Sequence, residues 1–252
     1  MAFFDSAPFA LPERSPLFKP APRFYKGYRK LGILCEGSLE GIQKALPADF
    51  EAMSNIFEVF VMNSPEVHDV SRPEMGPRSY LEGGIVVPVR YGDLVGGHVL
   101  YEFVTTDDSL ASGREVWGYP KKMADVTFSE EGSGAITATV SRLGRTLIDA
   151  RFTPGDNSFD KPQLNPRIQR KRIPRADGTG YDVDQIIRNE LRAPKVHSMV
   201  RGTATVNLGG SPLMDPLFEL DIQRVIGAEF LIAEFFLDWG TVHRDLLATQ
   251  QR

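Results

Sequence analysis

Lys121 and Lys122 directly follow a Tyr119-Pro120 pair, in a segment that also carries Gly113, Arg114, Glu115 and Trp117. A primary amine can condense with a ketone, and the protonated imine that results is an electron sink. Only the neutral amine attacks. A lysine at its ordinary pKa is neutral in roughly one molecule in a few thousand at pH 7. Lowering that pKa by about four units requires roughly 5–6 kcal/mol of ammonium destabilisation, which removal from water can supply at a buried site. The apolar neighbours Val116, Trp117, Tyr119 and Met123 are candidates for the dry wall of such a site. The opposing reading is the ordinary one, in which a lysine pair is solvated surface charge.

The elements around the pair decide which lysine can work. Pro120 biases Tyr119 toward extended backbone. Residues 121–128 then alternate, with Lys122, Ala124, Val126 and Phe128 set against Lys121, Met123, Asp125 and Thr127. On a strand neighbouring side chains take opposite faces, so the two lysines diverge and only one lines a given pocket. Desolvation therefore outweighs repulsion from Lys122 as the means of tuning Lys121. Most of the chain reads the same way. Residues 56–62, 85–89 and 98–104 are apolar β-rich runs. Residues 135–141 and 148–152 alternate on either side of a Leu143-Gly144-Arg145 turn, and 203–208 alternate again. Half-polar strands of this kind suit a sheet with one wet face, or a barrel. Leu39, Ile42 and Leu46 have helical spacing between Ser38 and Pro47. Residues 221–247 fit either a helix or a buried strand at 230–237 followed by a short helix through Leu246. Gly83-Gly84 and Gly96-Gly97 read as bends in a curved sheet.

Composition narrows the function class. The 252 residues are 42% hydrophobic and 25% charged, with net charge -4. This is globular composition with no broad attraction to nucleic acid. The proline-rich residues 1–22 read as an extended arm and 23–252 as one domain. The basic run 167–175 reads as a charged edge strand or a subunit interface. Four scattered histidines lack metal-ligand spacing, and the lone Cys35 cannot form an internal disulfide. No signal peptide or membrane span is expected, so the expected location is the cytoplasm.

The segment Gly113-Arg114-Glu115…Tyr119-Pro120-Lys121-Lys122 resembles the active-site signature of the acetoacetate decarboxylase family, a known instance of an activated lysine. Tyr80-Leu81-Glu82-Gly83-Gly84 with Pro88-Val89 is similar to a second block of that family, at a matching distance upstream. Phe57-Glu58-Val59 with Met62 resembles the strand that carries another family carboxylate. An insertion at 63–78 follows it. The family's N-terminal arginine corresponds to Arg29 with a one-residue gap, and to Tyr28 without one.

The resemblance implies an α+β, mainly β fold: an antiparallel barrel or cone around a closed cavity, with a few peripheral helices, in a homo-oligomer. It implies that Lys121 forms the Schiff base beside Lys122, with Glu82, Glu58 and Arg29 as further catalytic residues. Arg29, Tyr119, Trp117 and Met123 are the expected substrate contacts. The implied reaction is decarboxylation of acetoacetate or a related β-keto acid. Neither metal nor organic cofactor is implied, because the iminium accepts the electrons. Partners other than a keto acid and further copies of the chain, such as nucleic acid or membrane, are not expected. Two alternatives remain open: a Schiff-base aldolase–dehydratase acting on pyruvate-like keto acids, and a non-enzymatic barrel that binds a small ligand.

Overall fold

The structure is a computed structural model that describes residues 10–248. Expectations for residues 1–9 of the N-terminal arm lie outside the described residues.

The chain forms β1 (Arg23–Glu36), helix α1 (Leu39–Ala45), β2 (Glu51–Ala52), β3 (Ile56–Asp69), β4 (Arg78–Tyr91) and β5 (Leu94–Val104). Helix α2 (Asp107–Ser112) runs into a π-helical turn at Gly113–Trp117. Then come β6 (Lys121–Met123), β7 (Asp125–Glu130), β8 (Ile136–Arg142), β9 (Arg145–Pro154) and β10 (Arg167–Pro174). The last strands are β11 (Tyr181–Asn189), β12 (Leu191–Leu208), β13 (Arg224–Leu237) and β14 (Thr241–Asp245). One hydrogen-bonded path runs β14-β11-β10-β5-β4-β3-β1-β13-β12-β9-β8-β7, with β2 on β4 and β6 on β5. Pairing is antiparallel except at β5–β6 and β5–β10. The fold is thus mainly β with few short helices. The path does not close into a hydrogen-bonded ring, since it ends at β7 and β14. Instead the sheet folds back, so that β7 packs on β3, β4 and β5.

Alternation gives the central strands two buried faces. On one, Leu31, Ile33, Val59, Val61, Ile85 and Val87 meet Val126, Ile136, Val140 and Ile148 of the β7–β9 meander in the main core. On the other, the register aligns Lys30 with Met62 and Met62 with Glu82. These side chains line a cavity. A strand covered on both faces reads as a continuous apolar run, as 85–89 does.

Several local expectations change. Residues 221–247 hold strands β13 and β14 and no short helix, because β13 is paired on both sides, by β1 and β12. Half of the insertion at 63–78 is strand, since Glu66–Asp69 extends β3 along Arg23–Lys26 of β1. Residues 121–128 break at Ala124, where the chain leaves β5 and joins the meander. Helix α1 begins at Ser38, whose hydroxyl accepts from the Gly41 N–H, and it buries Ile42. Among the described residues no helix is long and apolar enough to cross a membrane.

Candidate active site

The site grows from β5 and β6. Their parallel pairing sets Lys121 opposite Glu102 and Lys122 opposite Phe103. Lys121 and Glu102 therefore share the cavity face, and Lys122 points the other way. Lys121 is 7% exposed. Its ammonium donates to Glu82 at 3.1 Å and to the Ser109 hydroxyl at 3.1 Å. It also lies 5.6 Å from the Tyr80 ring centroid and 5.8 Å from that of Tyr119. Gly113 opens the π-helical turn beside it. A Cβ added there would stand 2.7 Å from Lys121 Cε, so the glycine makes room for the lysine stem. A π-turn at such a place is a frequent mark of a functional site.

The cavity encloses about 670 Å³ including its mouth. Its wall is rich in aromatic groups: Tyr25, Tyr28, Phe60, Tyr80, Tyr119 and Phe235. The Tyr25 and Tyr80 hydroxyls are 3.0 Å apart, and the Tyr28 hydroxyl donates to Met62 Sδ. Burial, reinforced by nearby carboxylates, raises the pKa of Tyr28, Tyr80 and Tyr119 and keeps all three as neutral phenols. Two cations join this wall, Lys30 and Arg167. Burial lowers the Lys30 amine to about 8 despite its 2.5 Å pair with Glu58.

The electrostatics of Lys121 differ from the sequence expectation. Burial does push its pKa down, but the Glu82 and Glu102 carboxyls on the same face more than offset this, and the net direction is up. The resting group is an ammonium in an ion pair. Glu102 moves strongly upward, first through burial and then through the neighbouring Glu82 charge. Both effects favour its protonated form.

Of the expected site residues, the fold brings Lys121, Glu82 and Tyr119 together at the cavity. It places the others elsewhere. Lys122 lies on the opposite face of β6 and pairs with Asp215, which Arg142 also contacts. Arg29 points away from the cavity because Tyr28 and Lys30 on either side of it point in. It pairs with Glu130 of β7 at 2.6 Å. The ungapped register, with Tyr28 at the arginine position, is the one that faces the site. Glu58 is 1% exposed but sits behind Lys30, between Lys30 and Lys161. Trp117 is buried outside the cavity wall, with its indole N–H on the Asp238 carbonyl at 2.8 Å and Arg23 stacked on its ring. Met123 is 43% exposed.

Glu102, Lys30, Arg167 and Ser109 were not singled out from the sequence. Glu102 had a visible signal, a lone charge within the apolar run 98–104. Arg167 was hidden at the head of a basic run. The rest of that run serves the β10 surface, where Arg170 and Arg172 share Asp184.

Comparison with known proteins gives concordant results. Acetoacetate decarboxylase from Burkholderia mallei (strain NCTC 10229) is 26% identical over 253 residues, covering 96% of this chain and 97% of its own. The crystal structure of acetoacetate decarboxylase from Legionella pneumophila superposes with a TM-score of 0.80 at 25% identity, covering 98% of this chain and 95% of that one. The enduracididine biosynthesis enzyme MppR, complexed with the condensation product of pyruvate and imidazole 4-carboxaldehyde, shares the fold with a TM-score of 0.80 at 15% identity, covering 94% of this chain and 98% of that one. The family profile described as Acetoacetate decarboxylase (ADC) matches residues 7–247. With nearly the whole chain inside that match, the protein belongs to the acetoacetate decarboxylase family.

Proposed function

We propose that this protein decarboxylates acetoacetate or a related β-keto acid through an imine on Lys121. The observation that carries this reading is the buried Lys121 amine, hydrogen-bonded to Glu82 and Ser109 on the wall of an aromatic cavity. The ammonium becomes a nucleophile by passing its proton to Glu82 along their 3.1 Å hydrogen bond. In a medium of low dielectric the ion pair loses much of its advantage over the neutral amine–acid pair, and a substrate that expels the remaining water favours the transfer. Amine attack and loss of water give a protonated imine. The carboxylate-bearing bond then breaks toward the iminium, CO2 leaves, and an enamine remains. Protonation at carbon and hydrolysis release the ketone.

Arg167 and Lys30 supply the positive potential that draws a keto acid into the cavity. Their attraction must stay moderate, because the carboxylate charge vanishes in the transition state. Three neutral phenols and Phe60 leave the reacting carboxylate poorly solvated, which favours its loss as CO2.

A second reading keeps the imine but uses it for aldol condensation and dehydration with a pyruvate-like keto acid. One observation favours it: the position facing the cavity at the family's arginine is the phenol of Tyr28, while Arg29 lies outside. The MppR complex is an example of pyruvate condensation on this fold. The two readings separate in one assay. CO2 release from acetoacetate or a longer β-keto acid is the expected result. Consumption of an aldehyde with pyruvate, without CO2 from any β-keto acid, would replace the first reading by the second.

A further inference from the structure

The imine route leaves one step without a named group: something must deliver a proton to the enamine carbon. Glu82 already bonds the lysine nitrogen, so its proton belongs to the imine-forming half of the reaction. Glu102 is the other carboxyl at the site. It lines the cavity, is 4% exposed, and is the direct strand partner of Lys121. Among the described residues no donor reaches its buried Oε2. A carboxylate oxygen held away from water with no donor is costly, whereas a carboxylic acid fills the vacancy with its own proton. Burial and the Glu82 charge both favour that protonated form.

The geometry points to Glu102 as the acid that protonates the enamine carbon. This assignment rests on the imine reading of Lys121. Loss of CO2 leaves the neutral enamine, whose carbon–carbon π pair takes the Glu102 proton. A carbon–hydrogen bond forms, the iminium is regenerated, and Glu102 becomes a carboxylate. Water then hydrolyses the iminium to ketone and the Lys121 ammonium, and Glu102 regains a proton from solvent. The net reaction consumes one proton per CO2. Glu102 lies beside Lys121 along the strand pairing and lines the same cavity, and two acids with separate duties need not exchange roles within a turnover.

The test uses acetone in D2O. The iminium–enamine equilibrium exchanges the methyl hydrogens of acetone for deuterium, which NMR follows, and borohydride traps the imine independently. In Glu102→Gln, trapping on Lys121 is expected to persist while exchange falls by about 100-fold or more. Glu102→Asp, which keeps the acid but withdraws it by one methylene, is expected to retain trapping with an intermediate exchange rate. Exchange at the wild-type rate in either variant with trapping intact would overturn the assignment. Loss of trapping in a folded Glu102→Gln protein would also overturn it, by placing Glu102 in imine formation. If Glu102→Gln does not fold, the Glu102→Asp rate alone decides. Absence of trapping in the wild type would remove the imine reading itself, and this assignment with it.

Discussion

At the scale of single residues, the two adjacent lysines have different fates because they lie on a strand. Lys121 faces a wall of phenols and carboxyls, whereas Lys122 faces Asp215, with its side chain 43% exposed. Lys122→Ala is expected to leave turnover within about threefold of wild type, as a change off the reacting face should; steady-state CO2 release checks this. Gly113 is a sharper probe. Because Gly113→Ala would crowd the Lys121 stem, kcat/KM should fall by roughly 10- to 100-fold through misplacement of the amine. Thermal unfolding should move by only a few degrees, since the contact is with a side chain. A large drop in melting temperature with unaltered kcat/KM would contradict this role. The divergence of the lysines was legible in the sequence from Pro120 and the alternation after it. The charge of Lys121 was not, because it depends first on the Glu82 carboxylate, which the fold brings to Lys121 from another strand.

At the scale of elements, the cationic part of the cavity depends on how β10 meets β5. They pair only at Arg167 and Gly97. A side chain on Gly96 would collide with the Pro166 carbonyl, and one on Gly97 would come within 2.7 Å of the Arg167 guanidinium. These glycines therefore permit a close backbone approach that delivers Asn165 and Arg167 to the site. The sequence marked them as bends, but not what they make room for, since the partner lies some seventy residues along the chain. Gly96→Ala is expected to cost about 1–3 kcal/mol by overpacking, read from urea unfolding. Arg167→Ala should raise KM for the keto acid by about tenfold, the effect of losing one exposed-to-partly-buried charge contact. Arg29→Ala should leave KM unchanged, because Arg29 is held by Glu130 on the far side of β1. The reverse pattern would restore Arg29 to the site. A one-residue ambiguity in a strand alignment exchanges the two faces, which is why sequence alone left Tyr28 and Arg29 unresolved.

At the scale of the whole molecule, the cavity wall continues into a buried charge network. Glu58 bridges Lys30 and Lys161, and Lys161 also meets Glu229. Burial alone would push the Glu58 carboxyl up, but the two ammonium groups draw it down to about 2. A carboxyl whose pKa is lower in the folded than in the unfolded state stabilises the protein above its unfolded pKa. That stability is lost as pH falls through the folded value. For Glu58 the window runs from its ordinary value of 4.5 down to about 2, and the contribution is on the order of 3 kcal/mol. Glu58→Gln should therefore be several kcal/mol less stable than wild type at pH 7, where it leaves the buried Lys30 amine without its carboxylate and leaves Lys161 only Glu229. That deficit should shrink toward pH 2–3 in denaturant titrations, and a deficit independent of pH would contradict the network. The mainly β class, helix α1 and the β8–β9 turn were legible from local periodicity. The C-terminal strands were ambiguous because every residue of β13 after Arg224 is at least partly buried, on both faces, and a strand covered in this way lacks the clean alternation that separates it from a helix.

The imine on Lys121 is the claim on which the chemistry depends, and reductive trapping addresses it directly. Wild-type protein incubated with acetoacetate and borohydride should gain one reduced adduct, mapped to the peptide containing Lys121, and Lys121→Ala should gain none. An unmodified Lys121 under conditions in which CO2 is being released, or an adduct that persists in Lys121→Ala, would contradict the account.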